Sequence, residues 1–297
     1  MNRTLTHPSR TMICMEATIA QRSFPVPTNL SPSRVDAFTS CPLQFRFASI
    51  QKLPEPPSIP ATKGSLVHRA LEILFMLEPA ERTLVAGLTA LDQAATEFQS
   101  DAEWIGLGLD VEGEQLVLDD AEKLVRNYFT MEDPTAVSAI GLELRLEVPV
   151  GSLHLRGIID RLDRTPEGHI IVVDYKTGKP PRVNNEQSKL GGVNFYAFLC
   201  QQFFGQRPAE VRLMYLSTGE TIIARPTEQS VNFLPKRTLA VWGAVEKACS
   251  SGNFQPRQGP LCNYCSFQAW CPAFGGDPEL AALESMAALA EALPAAE

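Results

Sequence analysis

The sequence has no long apolar run, few histidines and no excess of positive charge, and each shortage limits what the protein can be. No apolar stretch approaches the length of a membrane-spanning helix, so a membrane protein is not expected. The first 29 residues carry arginines but no apolar core of a secretory signal, which predicts a cytoplasmic protein. The net charge of −8 argues against a general nucleic-acid coat protein, although an enzyme with a local basic groove would fit. The absence of a G-x-x-x-x-G-K-[ST] phosphate loop excludes a helicase motor of that kind, so a helicase or repair partner would be a separate, unknown protein.

Seven cysteines stand out against this background. In a reducing compartment clustered cysteines indicate metal or redox chemistry rather than disulfides. Cys262, Cys265 and Cys271 form a C-x(2)-C-x(5)-C cluster, and Cys41, which precedes a proline, is the natural fourth ligand. Four thiolates suit zinc or a four-iron four-sulfur cluster, and the spacing alone leaves both open. The remaining cysteines, Cys14, Cys200 and Cys249, read as packing residues.

The pattern of apolar residues predicts one α/β domain between two tails. We expect a disordered tail over residues 1–28, a folded domain over 29–275 and an alanine-rich tail over 276–297. Within the domain, helical spacing predicts helices over 65–77, 187–204 and 229–250, with a helical insertion over 81–132. Strands are predicted over 142–148, 153–162, 169–175, 211–216 and 221–224. Short turns make the first three antiparallel, and the fourth follows a helix and can pair in parallel.

The densest chemistry lies in a predicted hairpin between the second and third strands. Thr165 to His169 form its turn, with Gly168 in a left-handed conformation. If Thr165 pairs with His169, Asp160 faces Asp174 across the strands. Side chains alternate along a strand, so Lys176 shares the face of Asp174.

Two adjacent carboxylates are unfavourable unless a cation neutralises them. Magnesium or manganese would do so and leave room for a substrate phosphate, while Lys176 could orient the attacking water. The plainer alternative is an ordinary surface ion pair between an aspartate and a lysine. The apolar residues before each carboxylate and the nearby Gly157 favour the metal site.

The motifs Gly157-x-x-Asp160 and Asp174-x-Lys176-Thr-Gly resemble the core of the PD-(D/E)xK nucleases. The likeness is to the RecB-like exonuclease group, which includes the AddB nuclease domain and the CRISPR adaptation nucleases, and it covers residues 29–275. It implies a restriction-endonuclease-like core, in which helices flank a mixed sheet. It also implies metal-dependent hydrolysis of DNA phosphodiester bonds, by an exonuclease of repair or recombination. His68 matches the family's histidine ligand, so the implied metal ligands are His68, Asp160 and Asp174.

The same resemblance extends to the cysteines and to the helix after Lys176. One cysteine before the core and three after it, here Cys41 and Cys262, Cys265 and Cys271, imply an iron-sulfur cluster. The family's helix carries Gln-x-x-x-Tyr for substrate positioning. Tyr196 is present, but Gly192 occupies the glutamine position.

Two other functions remain open at this stage. Gly192 favours an iron-sulfur DNA-binding module that has lost catalysis, whereas the intact Asp-x-Lys motif opposes it; a zinc-stabilised scaffold is the other alternative. Contacts with the DNA backbone are predicted for basic residues near the motifs, although a plain surface role is equally compatible with each. These residues are Arg34, Arg46, Arg161, Lys179 and Arg182.

Overall fold

The protein is a mixed sheet covered by helices on both faces. The structure, a computed structural model, describes residues 23–180 and 186–285. In these ranges six strands form one sheet in the order β1-β3-β4-β5-β6, with β2 paired to β3. The strands are β1 (Asn29–Leu30), β2 (Ala139–Val150), β3 (Leu153–Arg164), β4 (Ile170–Lys176), β5 (Glu210–Tyr215) and β6 (Glu220–Ala224).

Two groups of helices cover the two faces of the sheet. The helices are α1 (Pro32–Ser40), α2 (Pro42–Phe45), α3 (Ile59–Met76), α4 (Leu84–Gln99), α5 (Ala102–Ile105), α6 (Val111–Met131), α7 (Glu186–Phe204) and α8 (Glu228–Ser251). One apolar core joins α1, α2, α7 and α8 to the sheet, and a second joins α3, α4, α5 and α6 to its other face. The expected α/β fold with a helical insertion is confirmed. None of the helices described is both long and apolar enough to cross a membrane.

The predicted hairpin forms with the expected register. β3 and β4 are antiparallel, with Arg161 opposite Val173 and Arg164 opposite Ile170. The Thr165 N–H donates to the His169 carbonyl at 2.8 Å, and Gly168 closes the turn at φ +87°. This register continues to Asp160 and Asp174, as the sequence predicts. β4 then pairs in parallel with β5.

β3 has neighbours on both edges, and two of them share one edge. β2 takes one edge along nearly its whole length. On the other edge, β1 pairs in parallel at His154 and Leu155, and β4 pairs from Arg161 onward. Between these blocks residues 156–160 have no strand partner on that edge in the described chain, so the sheet has a gap there.

Close packing of α7 onto β3 requires Gly157. A Cβ atom at this position would lie 2.7 Å from Leu199 Cδ1 and 3.2 Å from Tyr196 Cε1. Any side chain at residue 157 would therefore push α7 away from the sheet and shift Tyr196.

Arg161 corrects one sequence prediction, because its side chain is completely buried and cannot reach DNA. It forms two hydrogen bonds with Asp163, at 2.9 and 3.0 Å, and contacts Glu132 and the Tyr175 hydroxyl at 2.6 and 2.7 Å. Its guanidinium also lies 4.3 Å from the centre of the Phe75 ring. Neighbouring residues on a strand face opposite sides, so Arg161 points toward the helical insertion while Asp160 does not.

The N-terminal segment packs against the C-terminal part of the chain. Ser31 caps α1, its hydroxyl oxygen accepting from the Arg34 N–H at 3.3 Å. Phe24, inside the predicted tail, donates its N–H to the Cys249 carbonyl at 2.9 Å. Arg46 forms an ion pair with Glu279 at 2.9 Å and is only 2% exposed, so the proposed DNA contact of Arg46 is wrong. Residues 1–22 and 286–297, which make up most of the two predicted tails, lie outside the described residues.

Candidate active site

Three carboxylates from neighbouring strands meet beside the gap in the sheet. Glu143 on β2 stands opposite Asp160, because the pairs on either side of it are Leu142–Arg161 and Leu144–Ile159. Asp174 on β4 stands opposite Asp160 on its other side. Ligand atoms of His68, Glu143 and Asp160 all lie within 4.8 Å of one another, a spacing suited to one metal ion.

The backbone of Tyr175 orients two of these groups. Its N–H donates to Asp160 Oδ2 at 2.7 Å, and its carbonyl oxygen lies 3.1 Å from His68 Nε2. Since a carbonyl can only accept, Nε2 carries the proton in neutral His68. The Nδ1 lone pair is then free and lies 3.6 Å from Asp160 Oδ2. His68 therefore has an arrangement typical of histidines that bind metals. One ring nitrogen, Nε2, is fixed by a backbone acceptor, and the other, Nδ1, is available to an ion.

Burial and mutual repulsion change the proton affinities of this group. Burial, and then the Asp174 carboxylate, raise the pKa of Asp160 to about 7. Burial and the Asp160 carboxylate raise the pKa of Glu143, while burial lowers the pKa of His68. Each shift disfavours the charged form, and a bound cation would reverse it for the carboxylates. The residues present thus fit a divalent metal.

Lys176 lies on the other side of Asp174 from this group. Its Nζ is 2.5 Å from Asp174 Oδ2. Burial by itself lowers the pKa of Lys176, but the Asp174 carboxylate outweighs it, and the net shift is upward. The charged ammonium is therefore favoured and can donate a hydrogen bond to a water or a phosphate.

Tyr196 and the metal-binding group line one open cleft of about 670 Å³. Burial raises the pKa of Tyr196, so its hydroxyl remains a hydrogen-bond donor. Gly192, one helical turn earlier on α7, also lines the cleft and has empty space where a side chain would be. The lining of the cleft therefore includes His68, Asp160, Asp174, Lys176 and Tyr196, the site residues named from the sequence. Arg34 also lines the cleft, Lys179 is exposed, and Arg182 lies outside the described residues.

Glu143 is the site residue that the sequence prediction missed. It occurs within Leu142-Glu143-Leu144, an alternation that any half-exposed strand could have. Its backbone is unusual, with φ +43°, a left-handed conformation that costs a non-glycine residue about 1 kcal/mol or more. Backbone strain of this kind concentrates at functional sites, but it leaves no mark in the sequence.

The four predicted cluster ligands come together near the ends of the described chain. Burial raises the pKa of Cys265, and the nearby thiols of Cys41, Cys271 and Cys262 add to the shift. Backbone N–H groups of Arg257 and Gly259 approach Cys41 Sγ at 3.5 Å and Cys262 Sγ at 3.3 Å. Such donors stabilise thiolates, but the closely spaced ligand group found among the described residues is His68, Glu143 and Asp160, not the cysteines.

The chain is similar to known proteins in sequence. The gene 69 protein of Mycobacterium phage D29 is 22% identical over 271 residues, which cover 82% of this chain and 96% of the phage protein. A solved structure of a candidate exonuclease from Eubacterium rectale has 13% identity and a TM-score of 0.49, and the match covers 80% of this chain and 87% of that one. The sequence profile of the PD-(D/E)XK nuclease superfamily matches residues 29–272 and so contains every group of the cleft. The chain belongs to the PD-(D/E)XK nuclease superfamily.

Proposed function

We propose that this protein is a magnesium- or manganese-dependent DNA exonuclease of the RecB-like group, acting in DNA repair or recombination. The observation that carries the proposal is the meeting of His68, Glu143 and Asp160 within 4.8 Å, in the same cleft as Asp174 and Lys176. These five groups provide both a divalent-metal site and a cation for a phosphate. DNA as substrate and attack from an end rest on the resemblance of the motifs.

The roles of the residues follow from their protonation and position. His68, Asp160 and Glu143 would hold the metal, with Asp174 beside them; the ion supplies an activated water and neutralises phosphate charge. The charged Lys176 ammonium donates to the attacking water or to a phosphate oxygen. The neutral Tyr196 hydroxyl donates to the nucleotide from the opposite wall of the cleft. Lys176 and Tyr196 would both donate to groups whose negative charge increases during hydrolysis. A donor held in place accelerates a reaction when it stabilises charge that develops in the transition state.

Cleavage of end-labelled single- and double-stranded DNA with magnesium or manganese tests the activity. Asp174→Ala and Lys176→Ala should each lower the single-turnover rate about a hundredfold or more while the fold is kept. Glu143→Ala should do the same, and Glu147→Ala is its matched control. Glu147 is an exposed glutamate on the same strand, and its carboxylate pairs with His154 outside the cleft. Wild-type rates in Asp174→Ala or Lys176→Ala, or equal rates in the two glutamate variants, would show that this group is not the active site.

The four cysteines are proposed to hold a four-iron four-sulfur cluster. The support is the mutual approach of the thiols, the backbone donors on two sulfurs and the resemblance to iron-sulfur nucleases. Protein purified without oxygen should be brown, and Cys41→Ser should lose iron and thermal stability. Cys200→Ala is the control, because Cys200 lies on α7 and is buried in the apolar core. Colourless protein with stoichiometric zinc would replace the iron assignment with the zinc one.

A DNA-binding module without catalysis is the second candidate function. The observation that favours it is Gly192, which leaves the cleft wall without the amide expected there. Such a module would bind DNA with the same metal and salt dependence but would release it uncut. The cleavage assay above separates the two functions directly.

A further inference from the structure

The cleft has a second chemical region at its far end from the carboxylates. The lining there comes from β1, the start of α1 and the unpaired stretch of β3, and it includes Asn29, Ser31, Arg34 and Arg156. The parallel pairing of Asn29 with His154 and of Leu30 with Leu155 brings the start of α1 beside Arg156. Two arginines from distant parts of the chain therefore face the same space.

Arg156 is a charged side chain without a protein partner in the described chain. Glu147 stands opposite it across β2 and β3, but its carboxylate pairs with His154 at 2.8 Å. Among residues 23–180 and 191–285, whose side chains the structure describes, Arg156 forms no ion pair with a carboxylate. By contrast, Asp36, which also lines the cleft, has an interaction of its own.

Arg34 is held in place rather than left to move. Its Nη1 donates to the Asn29 carbonyl at 3.2 Å and to Asn29 Oδ1 at 2.6 Å. These acceptors are neutral, so the positive charge of Arg34 is not cancelled. The guanidinium is half-buried, which limits its screening by water and favours an anionic ligand.

The distance between this region and the carboxylates indicates which kind of anionic ligand fits the two arginines. Arg156 and Asp160 are four residues apart on one strand, which corresponds to about 13 Å between their Cα atoms. Arg156 is therefore placed away from the carboxylates along β3 rather than among them. A single nucleic-acid strand, however, presents phosphates at regular intervals along such a path.

We propose that Arg156 and Arg34 form a phosphate-binding subsite that holds a backbone phosphate of the DNA strand at a fixed distance from the bond being cut. This inference rests on the proposed nuclease function. The subsite would set which phosphodiester bond reaches His68, Glu143 and Asp160. It would also supply affinity that does not depend on base sequence, because phosphates are the same at every position.

The test compares Arg156→Gln with Arg164→Gln, which removes the same charge from an exposed position of the same strand. Binding of a 20-nucleotide strand is measured by fluorescence anisotropy with calcium in place of magnesium, at several salt concentrations. Arg156→Gln should weaken binding about tenfold and reduce the slope of log K against log salt by about 0.7, the value for one phosphate contact on a single strand. Arg164→Gln should change neither quantity, and Arg156→Lys should recover part of both.

A second measurement locates the phosphate. Single neutral methylphosphonate linkages are placed in turn along the strand, and single-turnover cleavage is measured for each. Wild type should lose affinity at one linkage to one side of the cut, and Arg156→Gln should be insensitive to that linkage. If Arg156→Gln behaves like Arg164→Gln, or if no linkage depends on Arg156, the subsite is wrong while the nuclease function stands. If wild type binds DNA with the expected slope but never cuts it, the nuclease function is wrong while the subsite stands; failure to bind overturns both.

Discussion

Gly192 leaves a gap in the wall of the cleft, and filling it should increase activity. Gly192 and Tyr196 are four residues apart on α7, so they lie on the same face, and both line the cleft. A Cβ atom at residue 192 would have no other atom within 4 Å, so Gly192→Gln adds an amide without a clash. One hydrogen bond from this amide to the nucleotide is worth about 0.5–1.5 kcal/mol, which corresponds to about a two- to tenfold increase in single-turnover rate.

The neighbouring Gly191 provides the control for this change. It also has no atom within 4 Å of a built Cβ, but it does not line the cleft. Replacing either glycine by glutamine in the helix should stabilise the protein by about 0.5–1 kcal/mol. Both variants should therefore unfold at a higher temperature, while only Gly192→Gln cuts DNA faster. The gain should disappear in an Asp174→Ala background.

Two results would contradict the predicted effect of Gly192→Gln. If Gly192→Gln cuts DNA no faster than wild type, or no faster than Gly191→Gln, the amide has no role at this position. If both variants lose thermal stability, the conclusion that residues 191 and 192 face open space is wrong.

The remaining predictions concern stability as well as activity. Without metal, Asp160→Asn should unfold at a higher temperature than wild type at pH 8, but at nearly the same temperature as wild type at pH 4. The pKa of Asp160 is about 7 in the folded protein, so the folding stability of wild type falls as the pH rises through this interval. Thermal unfolding in EDTA measures this, and an equal gain at both pH values would refute it. Gly157→Ala should cost about 1–3 kcal/mol in a denaturant titration because its Cβ would lie 2.7 Å from Leu199 Cδ1, whereas Gly178→Ala, with no neighbour within 4 Å, should be nearly neutral. Glu143→Gly should stabilise the metal-free protein by relieving the φ of +43° and should abolish cleavage; a loss of stability would show that the backbone is not strained there.

The catalytic hairpin could be predicted from sequence because its geometry is local. A tight turn with a glycine fixes the register, and the register alone places Asp160 opposite Asp174. Glu143 could not be predicted in this way, since its place depends on a third strand and on an unusual backbone angle. Nothing in the sequence distinguishes it from Glu147, four residues later on the same strand.

The arginines show where sequence reasoning about charge fails. Arg161 follows Asp160 and was expected to bind DNA, yet strand alternation turns it toward the insertion. Five polar and aromatic partners there make its burial possible: Phe75, Glu132, Asp163, Tyr175 and Tyr128. Arg46 is buried in a similar way, against Phe24 and Glu279. Both depend on partners far away in sequence, which no local pattern reveals.

The packing of the N-terminal segment on the C-terminal part of the chain also determines the order of assembly. One wall of the cleft is built from residues near 29–36, where β1 pairs with β3. The residues on either side of this wall, Phe24, Cys41 and Arg46, are held by Cys249, Arg257 and Glu279. Contacts between residues more than 200 positions apart form late in folding, because a long loop must first close. During synthesis, the residues on either side of this wall therefore lack these partners until nearly the whole chain has emerged. A partly made chain would therefore have the β3–β4 hairpin but no fixed N-terminal wall for the cleft.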